Sequence, residues 1–140
     1  MRVHNLILVF LALTFSMDLY SASWWDDEHY MHDIGVKSIQ FLYQEKLRNR
    51  VLFIDTREKE EFNEGHIPGA IHLRLVDIDK ADLSRLKDYD FVVPYCLKDF
   101  RGYEVARKLK SIGFDNVFMM TPSGLRGWQK SGKILEYNQI

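Results

Sequence analysis

Cys96 is the single cysteine of this 140-residue chain, and Arg101 follows it five positions later. A lone thiol is either an inert core residue or a nucleophile, and its surroundings must decide between the two. Here it ends an apolar run (FVVPY, residues 91–95), and Leu97, Lys98, Asp99 and Phe100 lead from it into a helical pattern. A loop that leaves a strand and enters a helix can curl its backbone N–H groups around an anion. The helix start adds about half a positive charge, and Arg101 adds a whole one. All three favour a thiolate over a thiol. Such a group could attack a sulfur atom and then hold the charged product.

The pattern around this loop is that of alternating strands and helices. Apolar positions Val36, Ile39, Leu42, Tyr43 and Leu47 predict a helix over Gly35–Asn49. Val51–Ile54 reads as a buried strand ending in Asp55, Glu58–Asn63 as a helical turn, and Ala70–Leu73 as a strand after the turn signals Gly65, Pro68 and Gly69. Leu75–Leu86 suggests two short helical pieces with Asp82 as a cap. Phe91–Tyr95 reads as a strand, and Arg101–Ile112 as a helix stopped by Gly113. A strand over Asn116–Met120 and a helix over Ser123–Lys130 complete the series. This alternation implies an α/β fold with a parallel sheet covered on both faces. Ligands bind such sheets beyond the carboxyl ends of the strands, where Asp55 and Cys96 both fall. That placement argues for the reactive reading of the thiol.

From about Asp33 to Ile134 the chain resembles a single-domain rhodanese. The resemblance rests on Ile54-Asp55-Thr56-Arg57, Glu61-Phe62 and the string Glu64-Gly65-His66-Ile67-Pro68-Gly69-Ala70, with Tyr95-Cys96 and Arg101 as the active-site loop. Gly124 and Trp128 stand where that family keeps a glycine turn and a late tryptophan. It implies a three-layer sandwich with a central parallel sheet. It also implies a sulfurtransferase in which Cys96 takes the sulfane sulfur of a donor such as thiosulfate as a persulfide. A thiol, a protein or, in the assay, cyanide then accepts the sulfur. Leu97, Lys98, Asp99, Phe100 and Gly102 would line the substrate site, Arg101 would stabilise the anionic states, and no metal or organic cofactor is implied. Related phosphatases have one more residue between Cys and Arg, and the four residues here select sulfur over phosphate. The alternative is a low-turnover binding or sulfur-relay module that docks a partner protein.

The same resemblance frames the lesser candidates. Asp55 is expected to tie down loops at its strand end, Arg57 to pair with Glu61, and His66 to hold a turn. Trp128 is expected in the core, and Lys98 could greet an anionic donor. Two positions depart from the commonest pattern: Asp99 replaces a glycine, and Gly102 a serine or threonine. A carboxylate about 6 Å from the sulfur would oppose the thiolate by up to about 3 kcal/mol at an effective dielectric near 20. Asp99 is therefore expected to point outward, toward Lys98 or Arg107.

The N-terminus reads apart from the domain. Arg2, the apolar run Leu6–Met17 and the small residues Ser21 and Ser23 match a secretory signal over residues 1–23, with an uncleaved anchor as the alternative. A periplasmic or secreted location follows as an expectation. Residues 24–32 form an acidic and aromatic lead-in to a domain over residues 33–140, and its His29 and His32 lack further partners for a metal site. The formal net charge of −1, from 19 basic and 20 acidic residues, gives no electrostatic footing for nucleic acid or an anionic membrane surface. No membrane span is expected once the signal is removed.

Overall fold

The computed structural model of the protein describes residues 33–138. The expected signal and lead-in, with His29 and His32, lie outside the described residues. Strand β1 (Val36–Ser38) leads directly into helix α1 (Ile39–Leu47). Then come β2 (Val51–Asp55), α2 (Lys59–Asn63) and β3 (Ile71–His72). Two 3₁₀ turns, Leu75–Lys80 and Ser84–Asp88, follow. The last elements are β4 (Phe91–Tyr95), α3 (Phe100–Ser111), β5 (Met119–Thr121) and α4 (Gly124–Lys130).

Every strand pairing is parallel. β2 lies between β3 and β4, in register from Val51 opposite Phe91 to Asp55 opposite Tyr95. β1 pairs with β5. Val92 joins the two sheets, donating to the Asn116 carbonyl at 2.8 Å and accepting from the Phe118 N–H at 2.9 Å. The spatial order is thus β3-β2-β4-β5-β1. Because Val92 turns its backbone groups toward β5, the next residue to do so is Pro94, which has no N–H to give. The ladder between β4 and β5 therefore ends where proline removes its next bond.

Alternation along the strands builds two cores. Leu52, Ile54, Val92 and Met119 face Val105, Ala106 and Leu109 of α3, with Ile78 and Leu86 of the 3₁₀ turns. Their neighbours Val51, Phe53, Val93, Tyr95 and Met120 face Ile39 and Leu42 of α1, Phe62 of α2, and Leu125 and Trp128 of α4. Neighbouring strand residues point to opposite faces, so both faces are buried and the molecule has three layers. Each fully buried aliphatic or aromatic side chain contributes roughly 1.5–3 kcal/mol. Trp128 is a core residue at 1% exposure and donates its indole N–H to the Ile134 carbonyl at 2.8 Å.

The sequence expectations differ from this fold in three places. Residues 36–38 belong to an edge strand, and Ser38 caps the helix that follows by accepting the Phe41 N–H. Asn116 precedes β5, and its side-chain amide braces the crossover by donating to the carbonyls of Leu86 and Tyr89. Asp82 accepts the Ser84 N–H at 3.0 Å as a turn residue, one position before the N-cap Leu83.

Candidate active site

β4 delivers Cys96 to the carboxyl edge of the sheet, where it is a free and buried thiol at 4% exposure. The loop after it is fastened to the start of α4. Leu125 N–H donates to the Cys96 carbonyl at 2.8 Å, and Arg126 N–H to the Leu97 carbonyl at 3.1 Å. Two N–H groups of the first turn of α4, which have no partner inside their own helix, are thereby satisfied. Since a trans peptide opposes its C=O and N–H, the N–H groups of Leu97 and Lys98 point away from α4. Both are aimed to the same side, as in an anion-binding nest.

Two glycines permit this packing. Gly124 adopts φ +64°, and a Cβ there would lie 1.9 Å from the Lys98 carbonyl oxygen. At Gly102, in the first turn of α3, a Cβ would lie 2.8 Å from the Cα of Tyr95. Gly102 therefore stands where serine or threonine would press on the end of β4.

Arg101 is held by a fork. Its Nη1 donates to Glu61 Oε2 at 3.0 Å and its Nη2 to Glu61 Oε1 at 3.3 Å. The Glu61 hydrogen bond chiefly holds the guanidinium above its ordinary pKa; burial opposes it next, and the charges of Glu61 and then Cys96 add to the rise. Glu61 was expected to pair with Arg57, and this is corrected. Arg57 donates to Asp55 Oδ2 at 2.7 Å and to the Gly65 carbonyl at 2.6 Å. The reason is local: Arg57 precedes Glu58, the N-cap of α2, so it is not on the helix that would place it one turn from Glu61.

Asp55 meets a partner that was not foreseen. Its carboxylate accepts the backbone N–H and guanidinium of Arg57, both residues being buried. Tyr95, fully buried beside it, accepts the Ile67 N–H at 3.0 Å through its hydroxyl oxygen. Burial, then the Asp55 charge, push the Tyr95 hydroxyl above the tyrosine range, so it stays protonated and can donate to Asp55. Thr56 donates its hydroxyl to the Tyr95 carbonyl at 2.9 Å. The ends of β2 and β4 and the Gly65–Ile67 turn are clamped together one residue before the thiol. His66 holds that turn, with Nδ1 2.8 Å from the Phe62 carbonyl and its ring stacked on Phe62.

Of the remaining loop residues, Lys98 is exposed, Leu97 half-buried and Phe100 74% exposed. Asp99 does not point outward, which corrects the expectation. It is buried at 7% exposure, with both carboxylate oxygens shielded from solvent. It is the N-cap residue of α3, and its carbonyl accepts the Tyr103 N–H at 2.8 Å, so the start of the helix fixes its backbone. Among the described residues no group of three His, Cys, Asp or Glu side chains could hold a metal ion. Nor is any described helix long and apolar enough to cross a membrane.

The rhodanese-like domain model matches residues 38–131, and the chain belongs to that family. It is 35% identical over 75 residues to YrkF of Bacillus subtilis, named as a sulfur carrier, covering 54% of this chain and 40% of that protein. It is 35% identical over 82 residues to YtwF of the same organism, named as a sulfurtransferase, covering 57% of this chain and 75% of that protein. The chain therefore spans less than half of the first relative and three quarters of the second. A thiosulfate sulfurtransferase from Pseudomonas aeruginosa superposes with a TM-score of 0.67 at 23% identity, over 75% of this chain and 20% of that one. That likeness is one of fold.

Proposed function

We propose that the protein is a sulfurtransferase that carries sulfur as a persulfide on Cys96. The observation that supports this reading is the placement of Cys96 at the end of β4, in a loop whose Cys96 and Leu97 carbonyls are tied to α4 and which leads into α3 with Arg101 in its first turn. The thiolate attacks the outer sulfur of a donor such as thiosulfate. A bond forms between the two sulfurs, the donor S–S bond breaks, and its electron pair leaves with sulfite. The persulfide anion stays in the cradle, where Arg101 and the loop amides offset its charge much as an oxyanion hole does. An acceptor nucleophile, a thiol or a protein, then takes the terminal sulfur and Cys96 leaves as the thiolate. The names of the two relatives support both roles, transferase and carrier.

Intact mass after incubation with thiosulfate or an inorganic polysulfide tests the reading. A gain of about 32 Da on the wild type and none on Cys96→Ser is the expected result, one sulfur per nucleophile. No gain with any donor overturns it. The sulfur-carrier name of the first relative favours a second reading, a relay module slow with a dianion such as thiosulfate. Persulfide from polysulfide but not from thiosulfate would select it. We also propose export, on the pattern of Arg2, the apolar run 6–17 and Ser21/Ser23. A protein recovered from its host beginning at Met1 and retained in the cytoplasm overturns that part.

A further inference from the structure

We infer that Glu61 is a positioning residue for Arg101, and that the preference of the site for anionic sulfur donors depends on it. The inference deepens the proposed function and rests on that reading for its biological meaning, though not for its test.

Glu61 and Arg101 lie 40 residues apart, on α2 and α3, and meet across the mouth of the site. Most exposed ion pairs hold nothing in place, because two long side chains remain free to separate. This one is built differently. Glu61 Oε2 also accepts the Glu58 N–H at 3.0 Å, in a capping box that fixes the carboxylate against the start of its own helix. α2 is in turn anchored by Phe62, which is buried and stacked with His66. The two Glu61 oxygens each take one terminal nitrogen of Arg101, a fork that sets the guanidinium plane as well as its position.

A guanidinium has five N–H donors in one plane. Two are committed to Glu61, and the others lie along the remaining edges of the plane. Fixing one side of the fork thus sets where the rest can meet an anion at the Cys96 loop. The Arg101 side chain is 40% exposed, so burial alone would not hold it there. The carboxylate also subtracts from the charge of Arg101. Positioning and neutralisation therefore predict opposite effects of removing it: a displaced Arg101 loses its hold on an anion, whereas an unmasked Arg101 in place gains.

The test uses the full chain and needs no sulfur transfer. Cys96 is alkylated with iodoacetate, an anion, and with iodoacetamide, which is neutral, and the ratio of the two rates is read by intact mass. Arg101→Ala sets the ratio without the guanidinium. Glu61→Gln should lower the wild-type ratio about five- to tenfold, toward that of Arg101→Ala, because one amide oxygen cannot complete the fork. Glu61→Asp keeps the charge but is too short to serve both Glu58 and Arg101, and should also lower it. Thermal unfolding confirms that each variant is folded. An unchanged or raised ratio in folded Glu61→Gln overturns the inference, as does a wild-type ratio equal to that of Arg101→Ala. A wild-type Cys96 inert to both reagents overturns it too, since Arg101 would then serve no reachable thiolate. Failure of persulfide formation with the ratio effect intact would sink the proposed function alone.

Discussion

Gly124→Ala isolates the contact that shapes the loop. Gly124 and Gly132 have nearly the same φ, +64° and +71°, but different surroundings. A Cβ at Gly132 meets nothing within 4 Å, whereas one at Gly124 lies 1.9 Å from the Lys98 carbonyl oxygen and 2.7 Å from that of Leu97. An L side chain at positive φ costs roughly 1–2 kcal/mol, offset by about 0.4–1 kcal/mol because alanine restricts the unfolded chain. Gly132→Ala should therefore cost about 0.5–1.5 kcal/mol. At Gly124 the loop must withdraw by about 1.1 Å for the new carbon to stand even 3.0 Å from the Lys98 oxygen. That displacement strains the bonds from Leu125 and Arg126 to the Cys96 and Leu97 carbonyls. Overpacking of this kind adds about 1–3 kcal/mol.

Urea denaturation of both variants reads the difference. With a slope of about 1–1.5 kcal/mol per molar urea, the midpoint of Gly124→Ala should fall about 1–2 M further than that of Gly132→Ala. Persulfide formation should divide them as well: Gly132→Ala loads at the wild-type rate, and Gly124→Ala is slowed at least about tenfold by a misplaced cradle. Equal midpoints, or a Gly124→Ala protein that loads normally, would refute the claim that α4 shapes the nucleophile's loop.

Tyr95→Phe leaves the buried Ile67 N–H without its acceptor and should cost about 1–3 kcal/mol in urea, while a midpoint equal to wild type would mean the clamp is decorative. The pairing with Arg101 holds the Glu61 carboxyl below the usual value of 4.5, although partial burial opposes this. A depressed carboxylate stabilises the fold above its unfolded pKa and loses that contribution as pH falls through the folded one. The stability gap between wild type and Glu61→Gln should thus be present at pH 7 and shrink as the pH falls below 4.5, as followed by urea midpoints.

The features legible in the sequence were those with a local signal. The apolar run 91–95 matched β4 at both ends, and the turn residues around Gly65–Gly69 fell between α2 and β3. The carboxyl-end position of Cys96 followed from the parallel alternation. What escaped was set by contacts distant in the chain. Arg57 and Glu61 have helical spacing, but the helix starts after Arg57, which turns back to Asp55 and leaves Glu61 to Arg101. Val36-Lys37-Ser38 has no strand pattern of its own and is a strand only because β5 runs beside it. Asp99 looked like a solvent residue in a polar loop, yet α3 begins on it and buries it.

The register of β2 against β4 links the fold to the chemistry. Asp55 lies opposite Tyr95, so the carboxylate, the phenol and the bound Ile67 N–H meet on one face, immediately before the thiol. A slip of one residue would move every side chain of one strand to the other face. Tyr95 would leave the core of α1 and α4, Asp55 would lose the phenol, and Cys96 would turn away from Arg101. Breaking the buried Asp55–Arg57 pair by removing one partner is worth about 3–5 kcal/mol, because the other charge is stranded. A register that separates the two residues from the Gly65 turn keeps this pair but loses the bond from Arg57 to the Gly65 carbonyl. Asp55 and Arg57 thus brace the end of β2 beside the strand from which Cys96 projects.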